Sequence, residues 1–244
     1  MIDLHCHLLP GVDDGPDTLG EALGLCRQAV ADGITHCVVT PHVHPGRYAN
    51  DAQSIALATE ALRAALQSEG IPLILGCSGE VRISPEILPM VKAGKVPFHG
   101  LWQGRRVLLL EFPHSHLPPG SDKLIAWLMA RDIVPLVAHP ERNKDIMRDP
   151  ARLHELRHLG CLFQVTAGAL AGRFGEVAEA RAREIVAAGW ATVLASDAHN
   201  AVARPPVLSE GLAVAAGLIG ETEARKLVWD NPWQIAAIQF GVAA

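Results

Sequence analysis

The chain is 244 residues long, with a formal net charge of −5 at pH 7 and a sequence pI near 6.2. This length suits one α/β domain, so we expect a single domain over residues 1–244. An acidic chain lacks the basic surface that nucleic acids and anionic membranes attract, and no apolar run approaches the roughly 18 residues of a membrane span, so we expect neither nucleic-acid binding nor membrane insertion. Five cysteines without a CxxC pair indicate buried thiols in a reducing cytoplasm.

The first segment, MIDLHCH, places an acid at position 3, which argues against the basic start of a secretory signal. IDLHC predicts a short strand in which His5 and His7 project to the same side. Two imidazoles aimed at one point indicate a metal site. TLGEALGLCRQAVADG then predicts a helix, because Thr18 and Glu21 form a capping box and Gly33 follows the helix end.

Short apolar runs and helix-like segments alternate along the rest of the chain. This rhythm predicts an α/β fold with a parallel sheet, and nearly all-apolar strands indicate that both sheet faces are buried. With IDLHC there are seven predicted strands, for which a closed or nearly closed barrel is the simplest architecture. The other six are ITHCVVT, PLILGC, RVLLLEF, IVPLVAH, CLFQVT and ATVLAS.

Six of these seven strands end in a residue type that binds metal ions strongly. Barrels of this kind carry their chemistry at the carboxyl ends of the strands, where the following loops converge. Nine nitrogen and oxygen donors without a thiolate exceed what one zinc ion needs, which suggests two or three divalent ions that share a carboxylate. The nine are His5, His7, Asp14, His42, Glu80, Glu111, His139, Asp197 and His199.

Seven separated blocks, in order from Met1 to near the final helix, resemble one known family. They are HCHLLPGVDDGP, TPH with GRYAN, GCSGE, LLLEFP, VAHPERN, QVTAGAL with GRFG, and SDAHNAVARPP. They resemble the polymerase-and-histidinol-phosphatase (PHP) superfamily, and more closely its CpsB/CapC-type manganese-dependent bacterial protein tyrosine phosphatases. The resemblance implies a distorted (β/α)7 TIM-like barrel, a single PHP-type phosphatase domain, and a trinuclear metal site at the carboxyl face of the strands.

The resemblance also implies a role for each ligand. Mn²⁺ is the expected ion, with iron or zinc as alternatives, and Arg142 and Arg204 would grip the substrate phosphate. The family often has adjacent histidines where Val43 here separates His42 from His44. The implied ligand sets are His5, His7, Glu80 and Asp197 for one ion, Glu80, Glu111 and His139 for a second, and Asp14, His42 and His199 for a third.

Three competing patterns are weaker. HELRH at 154–158 matches the H-E-x-x-H zinc-protease motif, but its polar residues share one helix face, which we expect to be solvent-exposed. His114 and His116 form a second H-x-H in a Pro-rich loop, which we do not expect to bind metal. No cysteine has an arginine six positions later, so the C-x5-R phosphatase motif is absent and hydrolysis must depend on metal ions.

These observations predict a metal-dependent phosphomonoester hydrolase. The resemblance implies a cytoplasmic protein-tyrosine phosphatase whose substrate is the phosphotyrosine tail of a bacterial tyrosine kinase, in capsule or exopolysaccharide regulation. Three alternatives remain: a small-molecule phosphatase of the histidinol-phosphate type, an amidohydrolase, and a non-catalytic regulatory partner of polysaccharide export. The amidohydrolase is disfavoured because Glu80 and Glu111 hold the middle strands, where a bridging lysine is common.

Overall fold

A computed structural model describes residues 1–241 of the protein and contains all seven predicted strands. The second and third predicted strands are each followed by a short strand that was not predicted, β3 after β2 and β5 after β4. A further strand, β6, was not predicted. The strands are β1 (Ile2–Cys6), β2 (His36–Val39), β3 (His42–Val43), β4 (Ile74–Cys77), β5 (Glu80–Arg82), β6 (Gly100–Trp102), β7 (Arg105–Glu111), β8 (Ile133–Ala138), β9 (Leu162–Thr166) and β10 (Ala191–Ala195).

The strands form a distorted parallel barrel. One sheet has the order β1-β2-β4 and the other β10-β9-β8-β7-β5-β3, and the chain passes directly from β2 to β3 and from β4 to β5. Next to the β1–β10 junction, the Asp197 amide donates to the His5 carbonyl at 2.7 Å and the His7 amide donates to the Ala198 carbonyl at 2.8 Å. The barrel predicted from the sequence is therefore confirmed. Its distortion lies where the chain passes from β2 to β3 and from β4 to β5.

Helices separate the strands and cover the barrel. The predicted capping box is present at the start of α1, where the Thr18 hydroxyl accepts from the Glu21 amide and the Glu21 carboxylate accepts from the Thr18 amide. The helices are α1 (Leu19–Ala31), α2 (Ala52–Ser68), α3 (Ile87–Lys92), α4 (Ser121–Met129), α5 (Lys144–Arg148), α6 (Ala151–His158), α7 (Ala167–Leu170), α8 (Glu176–Ala187), α9 (Ser209–Ile219), α10 (Glu221–Arg225) and α11 (Asn231–Ala236), with single turns at Pro140–Arg142, Lys226–Asp230 and Ala237–Phe240.

The inside of the barrel is apolar at one end and polar at the other. Leu4, Val107 and Leu109 belong to an inner apolar cluster that Ile235 of α11 joins. Glu111 follows Val107 and Leu109 on the same face of β7, because side chains of a strand alternate between its two sides. The apolar core therefore fills the amino ends of the strands, and the charged side chains lie at their carboxyl ends.

Two expectations about the rest of the chain are also confirmed. All five cysteines are free thiols, and four of them are buried. In α6, which carries HELRH, Leu153 and Leu156 face the core while His154, Glu155 and His158 are exposed. None of the helices in residues 1–241 is long and apolar enough to cross a membrane.

Candidate metal centre

The structure brings all nine predicted residues together at the carboxyl ends of the barrel strands. Eight of them are buried or half-buried, and Asp14 is more exposed. The residues converge beneath a cavity of about 170 Å³, whose lining includes Asp14, His42, Glu80, Glu111 and His139. Burying so many ionisable groups is costly unless opposite charge compensates them.

Donor atoms of four of these side chains lie close together. The His5 Nε2 atom lies 3.2 Å from His7 Nε2, 3.4 Å from Glu80 Oε2 and 3.3 Å from Asp197 Oδ1. His7 Nε2 lies 3.4 Å from Glu80 Oε2 and 3.5 Å from Asp197 Oδ1. Ligands bonded to one ion at about 2.0–2.1 Å in a tetrahedron lie about 3.3–3.4 Å apart. These spacings fit a single bound cation.

The outer nitrogens of the two histidines are held by acceptors behind them. His5 Nδ1 lies 2.8 Å from Gln164 Oε1, and His7 Nδ1 lies 2.6 Å from Asp13 Oδ2. A metal-binding histidine characteristically donates its other ring N–H to such a partner, which fixes the tautomer and the ring orientation. When Nδ1 donates to such a partner, the neutral form of each ring directs its Nε2 lone pair into the cluster.

Several buried atoms of the cluster also lack an ordinary partner. Within residues 1–241, Glu80 Oε2, Asp197 Oδ1 and His199 Nε2 are buried without a hydrogen-bond partner. Buried polar atoms are almost always paired, so three unpaired atoms within one cluster need an explanation. A set of oxygen and imidazole donors with these gaps fits divalent cations.

A second group of donors surrounds Asp14. Its Oδ1 atom lies 3.2 Å from His42 Nε2 and 3.4 Å from His199 Nε2. His199 Nδ1 lies 3.0 Å from the Asp197 carbonyl oxygen, which leaves Nε2 facing Asp14. The set expected from the family is thus assembled, and donor atoms of His7 lie within 4.8 Å of it.

The remaining two residues are arranged differently from the expected set. His139 Nε2 lies 2.8 Å from Glu80 Oε1, as expected, but the donor atoms of His139 group with those of His5 and Asp197. Glu111 groups instead with Glu80 and His42, whose Nδ1 lies 3.9 Å from Glu111 Oε2 and 3.0 Å from Glu80 Oε2. Glu80 is the common member, which suits a carboxylate shared between ions.

Two of the site residues have unusual backbone conformations. His139 has φ 33° and ψ 54°, and Asp197 has φ 52°, both in the left-handed region that residues other than glycine rarely adopt. Both stand at the point where a barrel strand ends. Such strain costs free energy and is characteristic of functional sites, where it orients a side chain that regular geometry would point elsewhere.

The two predicted arginines meet at one carboxylate oxygen. The Nη2 atoms of Arg142 and Arg204 both donate to Asp197 Oδ2, the latter at 2.6 Å. The Arg142 guanidinium also lies 4.8 Å from the centre of the Phe174 ring. The Nε atoms of both arginines are buried and lack a hydrogen-bond partner within the described residues. Arg204 lines the cavity, and both guanidinium groups keep unpaired donors beside Asp197.

The electrostatics of the cluster favour positive charge inside it. Burial opposes ionisation of Asp197, but Arg142 and His5 hold its pKa well below the usual range. Burial likewise opposes protonation of His7, yet the neighbouring carboxylates of Asp13 and Glu80 raise its pKa to about 9. Burial and the charge of Glu80 raise the pKa of Glu111 to about 7. Protons and metal ions therefore compete for the same atoms.

Two residues at the site, Gln164 and Arg82, were not identified from the sequence as part of it. Gln164 lies in β9, the one predicted strand without a metal-binding residue type, and it supports His5. Asp13, the acid before Asp14, supports His7. Arg82 Nη1 binds Glu111 Oε1 at 2.8 Å. A polar residue inside the otherwise apolar run CLFQVT was the available indication for Gln164.

Three histidines outside the nine candidate ligands, His44, His114 and His116, follow the strands of the site. His114 stacks on His139, with ring centroids 5.3 Å apart and planes 8° from parallel, and it lines the cavity together with His44. His116 contacts Ser115 in the exposed part of the loop.

Comparison with known proteins places this site in a family. The chain is 35% identical over 215 residues to the tyrosine-protein phosphatase YwqE of Bacillus subtilis, covering 88% of this chain and 83% of YwqE. It is 34% identical over 210 residues to the putative tyrosine-protein phosphatase CapC of Staphylococcus aureus, covering 86% and 81%.

A crystal structure from the work on YwqE of Bacillus subtilis and CpsB of Streptococcus pneumoniae, described as unique metal-dependent tyrosine phosphatases, superposes with a TM-score of 0.88 at 32% identity. The match covers 96% of this chain and 94% of that one. The family model for capsular polysaccharide synthesis, CpsB/CapC, matches residues 1–237. The chain therefore belongs to the CpsB/CapC family.

Proposed function

We propose that this chain is a metal-dependent phosphomonoester hydrolase that removes phosphate from phosphotyrosine in proteins. The observation that supports the proposal is the position of Arg142 and Arg204, whose guanidinium groups both bind Asp197 within the cluster of metal-binding atoms. Guanidinium groups bind phosphate oxygens in a fixed two-pronged geometry. The named activity of the relatives supports the same chemistry.

The nine residues would hold two or three divalent ions. Mn²⁺ is the ion we favour, with iron or zinc as alternatives, because the donors are imidazole nitrogens and carboxylate oxygens without a thiolate. The sets around His5 and around Asp14 would hold separate ions, and Glu80 would join them to the ion near Glu111. We also propose that residues 1–244 form a single phosphatase domain.

The chain's own residues would bind and orient the phosphoester. When bound, divalent ions supply an activated water and neutralise phosphoryl oxygens. Arg142 and Arg204 would grip the remaining oxygens as negative charge builds in the transition state. Asp197 would keep both guanidinium groups at the mouth before the substrate arrives, since one of its oxygens binds both. A tyrosyl leaving group needs less protonation than an alkyl alcohol, because its pKa is near 10.

The substrate we favour is the phosphotyrosine tail of a bacterial tyrosine kinase that regulates capsule or exopolysaccharide synthesis, in the cytoplasm. The family model and the names of the relatives support a role in capsular polysaccharide synthesis. An acidic chain without a basic surface fits a peptide or protein substrate better than a nucleic acid.

Purified protein assayed for metal content and for turnover of a phosphoester panel tests the proposal. The panel contains a phosphotyrosine peptide, the matched phosphoserine peptide and histidinol phosphate. We expect loss of phosphotyrosine turnover in EDTA and its return with Mn²⁺. Full activity after prolonged dialysis against EDTA would remove the metal mechanism, and a preference for histidinol phosphate would reassign the substrate.

A further inference from the structure

Tyr48, the single tyrosine of the chain, stands against one of the candidate ligands at the mouth of the site. Its ring stacks on the His42 ring, with centroids 5.5 Å apart and planes 10° from parallel. Tyr48 lines the same cavity as Glu80, His139 and Arg204. An aromatic ring therefore borders the space in which a phosphoester would enter, next to the His42 ring.

The segment that carries Tyr48 is held in place. The amide and carbonyl groups of His44 and Tyr48 exchange hydrogen bonds at 3.1 and 2.8 Å across a tight turn. Gly46 has φ +84° in that turn, a conformation that favours glycine. Beyond the turn, the Asn50 side chain donates to the His42 carbonyl at 2.9 Å and to the Val12 carbonyl at 3.1 Å. The aromatic wall is therefore built before any substrate arrives.

The neighbouring cation further restricts the ring. The Arg47 guanidinium lies 4.9 Å from the centre of the Tyr48 ring, within the range of a cation–π contact. Because the Tyr48 ring contacts both His42 and Arg47, it has little freedom to rotate away. A ring fixed in this way loses little conformational entropy when another ring packs against it.

We infer that Tyr48 is a specificity-determining residue that recognises the aryl group of the substrate. This inference rests on the proposed phosphatase function. A phosphate gripped by Arg142 and Arg204 carries its ester group outward through the cavity that Tyr48 lines. An aryl ester there packs against the Tyr48 ring at the separation of an ordinary aromatic pair, whereas a short alkyl ester of serine or a small metabolite does not reach it.

The test compares aryl and alkyl substrates in the parent and two variants of the Mn²⁺-loaded protein. Tyr48→Leu keeps apolar bulk but removes the ring, and Tyr48→Phe keeps the ring as the matched control. The measured quantity is the ratio of kcat/KM for phenyl phosphate to that for glycerol phosphate. We expect the ratio to fall about 2- to 12-fold in Tyr48→Leu, mainly through KM of the aryl substrate, and to stay at the parent value in Tyr48→Phe.

A binding measurement separates this role from support of His42. Metal content is measured for each variant, and calorimetry compares phenylphosphonate with methylphosphonate, neither of which is hydrolysed. We expect Tyr48→Leu to lose affinity for phenylphosphonate only. An equal loss for both phosphonates, or an unchanged aryl-to-alkyl ratio, would show that Tyr48 only supports His42 and would overturn the inference. Failure of the parent to hydrolyse any phosphoester would instead contradict the proposed function, while the phosphonate pair would still test the ring contact.

Discussion

The Nε2 atoms of His5 and His7 lie 3.2 Å apart, although both rings turn their Nδ1 atoms toward acceptors behind them. Two lone pairs at this separation repel each other unless positive charge lies between them. Glu80 and Asp197 add two carboxylate oxygens at 3.3–3.5 Å from these nitrogens. The fold therefore brings four acceptor atoms close together, and the stability of the site depends on the positive charge that neutralises them.

The first prediction concerns the acceptor behind His7. Asp13 Oδ2 accepts from His7 Nδ1 at 2.6 Å and from the His42 amide at 3.0 Å, while Oδ1 accepts from the Gly15 amide at 2.9 Å. Asn at position 13 has only one acceptor oxygen, so Asp13→Asn should lower metal affinity about 10- to 100-fold with all nine candidate ligands present. Metal titration measures it, with the exposed Asp17→Asn as the control. Equal affinities in both variants would show that Asp13 does not orient His7.

The second prediction separates the proposed ligands from the competing HELRH motif. Replacing His139 or Asp197 by Ala should abolish turnover and lower metal content, while the circular dichroism spectrum stays that of the parent, because neither change removes core volume. The matched control replaces His154 and His158, which are exposed on α6, by Ala together. Loss of metal from that double variant would mean that the zinc-protease motif binds metal after all.

Much of the fold could be predicted because strand positions follow from composition. Each barrel strand is a short apolar run bounded by turn residues, and the ends of those runs carry the polar groups. β6 escaped prediction because Gly100–Trp102 is three residues long and forms only by antiparallel pairing with β7, a contact that local pattern does not contain. The short strands β3 and β5, which follow the predicted runs, likewise depend on pairing with neighbouring strands.

The membership of the site was easier to predict than its internal pairing. Strand ends in a barrel converge, so the residue types at those ends predict which side chains come together. Which donor faces which partner depends on side-chain torsions and on local strain. His139 stands in the left-handed region, and its donor atoms group with those of His5 rather than those of Glu111. The supporting role of Gln164 depends on β9 lying beside β8, so the local pattern shows a polar residue in the strand but not its partner.

The third prediction is a pH dependence of stability that arises away from the metal-binding atoms. His99 is fully buried, with Nε2 2.7 Å from the Leu4 carbonyl oxygen and Nδ1 2.7 Å from Ser78 Oγ. Burial lowers its pKa from 6.5 to about 4. The unfolded chain therefore takes up this proton at higher pH than the folded chain. The contribution is fully present above pH 6.5 and is lost as the pH falls toward 4, by about 3 kcal/mol in total.

Urea unfolding in EDTA at several pH values measures this dependence. Because other groups also titrate in this window, the informative quantity is the difference between the parent and His99→Gln. We expect the variant to be less stable at pH 7 but to lose less stability between pH 6.5 and 4. His158→Gln, an exposed histidine, is the control and should follow the parent. Parallel curves for parent and His99→Gln would contradict the assignment.

The fourth prediction concerns the two arginines, because they distinguish a phosphate-hydrolysing site from a general metal-dependent hydrolase. Arg142→Ala and Arg204→Ala should each lower kcat/KM for a phosphotyrosine peptide on the order of 10²–10³-fold, as other preorganised charge stabilisers do. Metal content should remain at the parent level, because neither guanidinium is a ligand. Lysine should restore activity only in part, since it keeps the charge but loses the two-pronged geometry.

The division of the loss between kcat and KM makes this prediction specific. Each arginine already binds Asp197 before the substrate arrives, so only its remaining donors can add binding free energy toward the phosphate. The unpaired Nε donors gain most when the phosphoryl oxygens carry their greatest charge, which is in the transition state, so kcat should fall as well as KM rise. Arg225→Ala removes an exposed arginine paired with Asp230 and controls for the change in net charge. If the two site variants kept the kcat/KM of Arg225→Ala, phosphate recognition would lie elsewhere. Arg142 and Arg204 would then only stabilise the loop that contains Asp197.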